Sequence, residues 1–282
     1  MIEQHANAYP LVLMCRALEV SRAGYHRYRT RPTSERELDN RLLLQQMRAV
    51  QKSVRQCYGS PRLTRKLRTL GRTCGRNRVA RLMRENDLGA RCKKRFRKTT
   101  DSNHSFACPE NLVARNFTVA GPNQVWVSDV TYIPTRERWL YLGVTLDLHP
   151  RKVVGWGMGT ENDTELVRRA LDMAVTNRRP GRGLIFHTDR GSTYAATAFQ
   201  EELERHGIRA SMSRKGDCWD NAVAESFFSS FKAEWMPEGG YDTVSEAMAD
   251  VFRYIEMFYN RERLHSSLGY VSPVAFEAAM VA

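Results

Sequence analysis

Leu184-Ile185-Phe186-His187-Thr188-Asp189-Arg190-Gly191 is a short apolar run that stops at an acid and turns at once on a glycine. A buried strand ends in a turn this way. A second acid, Asp129, interrupts the alternating stretch Val125-Trp126-Val127-Ser128-Asp129-Val130-Thr131. A third, Glu225, lies in Asn221-Ala222-Val223-Ala224-Glu225-Ser226-Phe227-Phe228, the start of an amphipathic helix, with 35 residues between it and Asp189. Acids carried by two strands and a helix can converge on one pair of divalent cations. Two hard cations roughly 3.5–4 Å apart are a general device for in-line displacement at phosphate.

The surrounding pattern predicts the sheet that would hold these acids. Strands are expected at 124–132, at 139–148 with Leu140, Leu142, Val144, Leu146 and Leu148 on one face, and at 152–159 in a Gly-rich stretch. A helix over 164–176 aligns Leu166, Ala170 and Ala174; a strand at 183–188, a helix at 195–206 and a strand at 208–213 follow. Two more helices are expected near 221–235 and 244–262. Hairpin-linked strands followed by strands alternating with helices give an α/β fold, a mixed five-stranded sheet with flanking helices.

The front of the chain reads differently. Helical periodicity over 36–51 runs through Leu38, Leu42, Leu43 and Met47. After Tyr58-Gly59, Ser60 is expected to cap a helix whose first position is Pro61, with Leu63, Leu67 and Leu70 inward. A further helix near 77–86 turns Val79, Leu82 and Met83 inward and Arg76, Arg78, Arg81 and Arg84 outward. Short helices joined by a Gly-containing turn, the second with a basic outer face, predict a small all-α helix-turn-helix domain. The expected organisation is an N-terminal helical segment over 1–35, this DNA-binding domain over 36–90, a basic linker over 91–120 and a catalytic core with C-terminal helices over 121–282.

Charge follows that partition. The net charge of +13 divides into 26 Lys and Arg against 9 Asp and Glu in residues 1–115 (+17), and 18 against 22 in residues 116–282 (−4). A polyanion-binding front half is therefore expected, with Lys93, Lys94 and Arg95 of the linker also riding on phosphates. The six cysteines form no Cys-x-x-Cys pair and no His stands at finger spacing, so no structural zinc site is expected. No apolar run approaches the ~18 residues of a membrane span. Leu11 to Cys15 is too short for an export signal, and a cytoplasmic protein is the expectation.

Around the acids the chain reads Trp126-x-x-Asp129-x-Thr131-Tyr132, His187-Thr188-Asp189-x-Gly191-x-x-Tyr194 and Asp220-Asn221-Ala222-x-x-Glu225-Ser226-Phe227, followed by Tyr259-Asn260-x-x-Arg263-x-His265-x-x-Leu268. From about Tyr58 to Pro273 this resembles the integrase core of bacterial insertion-sequence transposases of the DDE superfamily, and within it the second-frame transposases of the insertion-sequence three family. The resemblance implies a ribonuclease H-like fold. It implies Asp129, Asp189 and Glu225 as catalytic ligands of two Mg²⁺ ions, with Mn²⁺ able to substitute. It further implies cleavage at the element's 3′ end, strand transfer of the freed 3′-hydroxyl, and a homo-oligomeric synaptic complex on terminal inverted repeats and target DNA. Members of this family often act fused to an upstream-frame DNA-binding protein, and this chain shows no heptad zipper of its own.

Competing readings come from other residues. Asp147, ending the second strand, rivals Asp129 by position alone. Asp220 and Asn221 suit a helix N-cap. His187 is expected as a hydrogen-bond partner, His265 as a packing residue and Arg263 as a weaker DNA contact. Lys232 falls seven residues after Glu225, about 20° short of two α-helical turns, beside a buried stripe of Ala224, Phe227, Phe228, Phe231 and Trp235. It is expected to grip DNA near the reacting end. A nuclease without strand transfer and a DNA-binding regulator with a decayed core are the rival classes, and a Tyr nucleophile (Tyr132, Tyr194 or Tyr259) is the rival chemistry.

Overall fold

The computed structural model describes residues 2–91, 109–214 and 218–280, the side chains of 218 and 219 aside. Lys93, Lys94 and Arg95 lie outside the described residues. The chain divides into two compact units, Met1–Ala49 and Val50–Ala282. The first holds α1 (Leu11–Ala17), α2 (Arg22–Thr30) and most of α3 (Glu35–Ser53). Ser21 opens α2, its hydroxyl accepting from the Gly24 N–H at 2.9 Å. On α3, Leu43 and Met47 are buried, whereas Leu38 and Leu42 stay exposed.

The second unit begins with the helix pair α4 (Ser60–Thr69) and α5 (Arg76–Glu85). Leu63, Leu67, Val79, Leu82 and Met83 form its interior. Two details differ from the sequence reading. Gly59 takes the N-cap position and Ser60 is already helical, without a side-chain cap. Leu70 is exposed, because the helix ends at Thr69 and Leu70 leaves the inward stripe.

The sheet follows: β1 (Val125–Pro134), β2 (Trp139–Asp147), β3 (Lys152–Gly159), β4 (Ile185–Thr188) and β5 (Arg209–Met212). Spatial order is β3-β2-β1-β4-β5. The first three strands form an antiparallel meander, and β4 and β5 add in parallel beside β1. Crossovers run through α6 (Thr164–Arg178), and through α7 (Ser192–Ala195) with α8 (Thr197–Arg205). This is the ribonuclease H-like arrangement, preceded by a small helix-turn-helix region.

Glycine in β3 has a steric purpose. A Cβ on Gly155 would stand 2.1 Å from the Ala170 carbonyl oxygen, so only glycine lets α6 lie this close to the sheet. Trp126, Leu171, Phe186, Phe199 and Leu203 pack beneath α6 and α8 as the core of this half.

The C-terminal helices are less regular than their periodicity predicts. The helix expected over 221–235 is a 3₁₀ turn at Cys218–Asn221, α9 (Ala222–Ser230) and a π-helical segment at Phe231–Trp235. The one expected over 244–262 is α10 (Val244–Phe252) followed by a π-helical segment at Arg253–Tyr259. A short α11 (Pro273–Ala278) closes the chain, and its Glu277 is held by Lys152 at 2.8 Å and by Arg178.

Candidate active site

Register brings the first two acids together. β1 and β4 are parallel neighbours with Val127 opposite His187. Two residues on in each strand direction come Asp129, midway along β1, and Asp189, just past the end of β4, on neighbouring strands spaced about 4.8 Å apart. Each carboxylate is held by its own backbone: Asp129 Oδ1 accepts from Val130 N at 2.8 Å, and Asp189 Oδ1 from Gly191 N at 3.0 Å. Both line a cavity of about 240 Å³ whose walls include Tyr132, Tyr141, Asn162, Ser192 and Thr193.

Glu225 is exposed on α9, which packs on β1, and is not among the residues lining that cavity. Burial pushes the Asp129 carboxyl well above the usual carboxylate range. The charge of Asp189 adds to the rise and that of Glu225 adds further, while the Val130 N–H and the Lys232 ammonium oppose it. The charges of Asp189, Glu225 and Lys232 are thus all felt at Asp129.

Lys232 sits in the π-helical segment, which breaks the 3.6-residue period used to place it in line with Glu225. The Lys232 side chain is half-buried. Its Nζ lies 4.6 Å from the centroid of the Tyr132 ring, and burial lowers its pKa against the pull of Asp129. The predicted aromatic stripe of Phe227, Phe228, Phe231 and Trp235 is buried as expected.

Asp147 is occupied elsewhere. Wholly buried, it accepts from Asn123 N at 2.8 Å and His149 N at 3.2 Å and pairs with Arg178 at 3.2 Å. It fastens the far end of β2 and has no place in the acid cavity. His187 is also structural: its ring nitrogens meet Ser211 Oγ at 2.9 Å and Ser213 Oγ at 3.3 Å, and burial lowers its pKa to about 4, which keeps it neutral. Tyr194 is buried with its hydroxyl 2.9 Å from Ser128 Oγ, and Tyr259 packs between Phe227 and His265. Neither is placed as a nucleophile.

The capping role expected of Asp220 and Asn221 is not what they perform. Asp220 is a buried hub whose carboxylate accepts from Arg214 N, from Nε and Nη2 along one edge of the Arg214 guanidinium, from Arg115 Nε and from Asn111 Nδ2. The Arg214 side chain is the chief reason its pKa falls to about 2. Asn221 caps nothing with its side chain and donates instead to Ser128 O at 3.1 Å, tying the start of α9 to the acid-bearing strand.

Arg263 is likewise no DNA contact. It is 4% exposed and grips Glu234 twice, Nε to Oε2 at 2.6 Å and the second nitrogen to Oε1 at 2.7 Å. Arg62 of α4 reaches the same carboxylate at 3.0 Å, and Tyr58 bridges Glu262 O and Leu264 N. Glu234 carries no sequence motif, yet it is the joint between α4, the Glu225 helix and the C-terminal segment. Only the i, i+4 neighbours of such a network are readable from sequence.

Of the basic residues predicted on α5, Arg76 and Arg84 are exposed, Arg78 is half-buried and Arg81 pairs with Glu85 at 2.9 Å. A separate set of ligand-bearing side chains, Asp172, Glu202 and His206, brings its ligand atoms within 4.8 Å of one another on the α6–α8 side. Glu202 there already pairs with Arg205 at 2.9 Å and His206 at 3.1 Å.

Known protein families match most of the chain. The integrase core domain family matches residues 119–218, a second integrase core family matches 206–273, and an HTH-like domain family matches 37–96. The chain is 39% identical to transposase InsF for insertion sequence IS3A of Escherichia coli K12, over 98% of this chain and 96% of that one. The chain belongs to the IS3-family transposases. It is 42% identical to the uncharacterized 31 kDa protein of insertion element IS600 from Shigella sonnei, over 93% of this chain and 97% of that one. Among solved structures, the HTLV-2 integrase catalytic core domain in complex with magnesium aligns at a TM-score of 0.40 and 16% identity, over 56% of this chain and 98% of that chain. A DDE-type IS3-family transposase is an enzyme of DNA transposition, a polynucleotidyl transferase acting on DNA. None of its described helices is long and apolar enough to cross a membrane.

Proposed function

We propose that this transposase cleaves the 3′ end of its element and joins the freed 3′-hydroxyl to another phosphodiester, with Asp129, Asp189 and Glu225 as the ligands of two Mg²⁺ ions. The observation that supports the reading is the parallel pairing of β1 with β4, which brings Asp129 and Asp189 to one cavity, with Glu225 on the helix packed against β1. An all-oxygen donor set of concentrated negative charge fits hard divalent cations, and Mn²⁺ fits the same ligands. When bound, such cations lower the pKa of an attacking water or hydroxyl and stabilise the leaving oxygen.

The protein's own residues do the positioning. The backbone N–H groups of Val130 and Gly191 each fix one carboxylate oxygen of an Asp that lines the cavity. Lys232 supplies positive charge beside the acids for the phosphate that must approach them. In the first step a water oxygen bonds to phosphorus and the P–O3′ bond breaks, leaving a 3′-hydroxyl and a 5′-phosphate. In the second that hydroxyl attacks another phosphodiester in the same way.

The functional division follows the charge: residues 36–90 and the 91–120 linker hold DNA through Arg76, Arg78, Arg84, Lys93, Lys94 and Arg95, and 121–282 perform the chemistry. Work on two paired ends calls for a homo-oligomeric synaptic complex, with an upstream-frame protein as the further partner. The test is cleavage and joining of the element's own ends in Mg²⁺. Asp129→Asn, Asp189→Asn and Glu225→Gln should each abolish both steps while sparing DNA binding. Strand transfer by any of the three at wild-type rate would end this assignment.

A further inference from the structure

We infer that Trp139, with Tyr132 and Tyr141, forms a stacking platform for a DNA base unstacked beside the reacting phosphate. The inference rests on the catalytic reading of the acid cavity and adds to it a base-binding subsite.

The three aromatics share one face of the β1–β2 hairpin. Tyr132 is registered opposite Tyr141, and Pro134 opposite Trp139, so these side chains alternate to the same side. Tyr132 and Tyr141 line the cavity of Asp129 and Asp189, and Trp139 continues the row outward. The Trp139 and Tyr132 rings meet edge to face with centroids 5.1 Å apart. Trp139 nevertheless leaves 50% of its surface in water. The cation of Lys232 lies over the other ring, that of Tyr132. An aromatic surface open on one side, continuous with a phosphate site and carrying a cation, suits a nucleotide.

The hairpin that presents it is firmly held. Thr135 closes the turn by accepting from Arg138 N at 3.1 Å. Tyr241 clamps it from outside, donating to Pro134 O at 3.1 Å and accepting from Arg136 N at 3.0 Å. Glu137 accepts from Val244 N at 2.9 Å. Gly240 makes that clamp possible: at φ +89° its Cβ would stand 2.5 Å from Pro134 O. An exposed indole on a rigid support loses little entropy when a base stacks on it. The need is plain as well. Asp129 and Asp189 lie in a narrow cavity, and a phosphodiester of paired duplex reaches them more easily once its neighbouring base has swung out.

The experiment uses the full chain and two short duplexes ending in the element's own repeat. One is fully paired and the other mismatched at the base pair next to the scissile phosphate. Trp139→Ala should slow cleavage of the paired end about five- to a hundredfold, the range that stacking one base on an aromatic ring supplies. The mismatched end, already frayed, should recover most of that loss, and Trp139→Phe should retain most of the activity on both. Unchanged cleavage of the paired end by Trp139→Ala would overturn the platform, and so would an equal loss on paired and mismatched ends. Asp129→Asn run beside it keeps the two ideas apart: activity in that variant would sink the metal reading, while its inactivity on both duplexes leaves the Trp139 comparison to decide the platform.

Discussion

At the residue scale, the acids of this chain differ in what their neighbours ask of them. Asp147 is buried among donors and one arginine, so its job is to hold Arg178, Asn123 and the turn at His149 together. Asp147→Asn should therefore keep cleavage activity and lose roughly 1–3 kcal/mol of stability, the cost of a disrupted buried hydrogen-bond set. Denaturant unfolding and a cleavage assay on one preparation check both halves. Lys232 has the opposite profile. Lys232→Ala should slow joining at sub-saturating DNA while leaving the melting temperature nearly unchanged, and Lys232→Arg should recover much of the rate. Wild-type joining by the alanine variant would show the ammonium to be idle. The acids were legible because each sits in a distinctive local context. The occupation of Asp220 by Arg214, Arg115 and Asn111 was not, since Asn111 and Arg115 come from more than a hundred residues away.

At the scale of elements, alternation on β2 and the 3.6-residue rhythm of α6 were enough to place them, because each buries one face against the same core. The end of the Glu225 helix was not placed so well. Its residues satisfy α-helical periodicity up to Trp235, yet the backbone changes to π geometry at Phe231. Five aromatic rings crowd there: Trp235 stacks on Phe258 at 4.9 Å, while Phe227 and Phe231 meet Tyr254. The same segment carries Glu234 into its pairs with Arg263 and Arg62. Removing one member of a buried pair strands the other, at a cost of about 3–5 kcal/mol. Arg263→Ala should accordingly lower stability by that amount, and Arg62→Ala, whose side chain is partly exposed, by clearly less. Chemical denaturation of the two variants checks the order, and equal small losses would mean that Glu234 is no structural joint.

At the scale of the whole molecule, the proposed division of binding from chemistry follows the +17 front half and the −4 back half. The salt dependence of DNA affinity should expose that division. Arg76→Ala with Arg84→Ala should reduce the slope of log K against log salt by about 2, one per lost phosphate contact, with cleavage at saturating DNA retained. An unchanged slope would take α5 off the DNA. The five strands and the helix pair were legible in the sequence through alternation along 124–159, the short apolar runs near 183–188 and 208–213, and the run of leucines and arginines from Leu63 to Arg84; the spatial order of the strands was not. The ties from Tyr58 and Arg62 to residues 234–264 were not, because they depend on which surfaces meet after folding.

Asp129, Asp189 and Glu225 are proposed to form the cation site. Burial and two like-charged neighbours work against an ionised Asp129, so the metal-free fold bears that repulsion and a bound cation relieves it. Thermal unfolding of the wild type and Asp129→Asn across a Mg²⁺ titration measures this directly. Without metal, Asp129→Asn should melt at or above the wild-type temperature. Added Mg²⁺ should raise the wild-type melting temperature and leave the variant's almost unmoved. A variant that melts lower without metal and is stabilised by Mg²⁺ as much as the wild type would contradict the assignment.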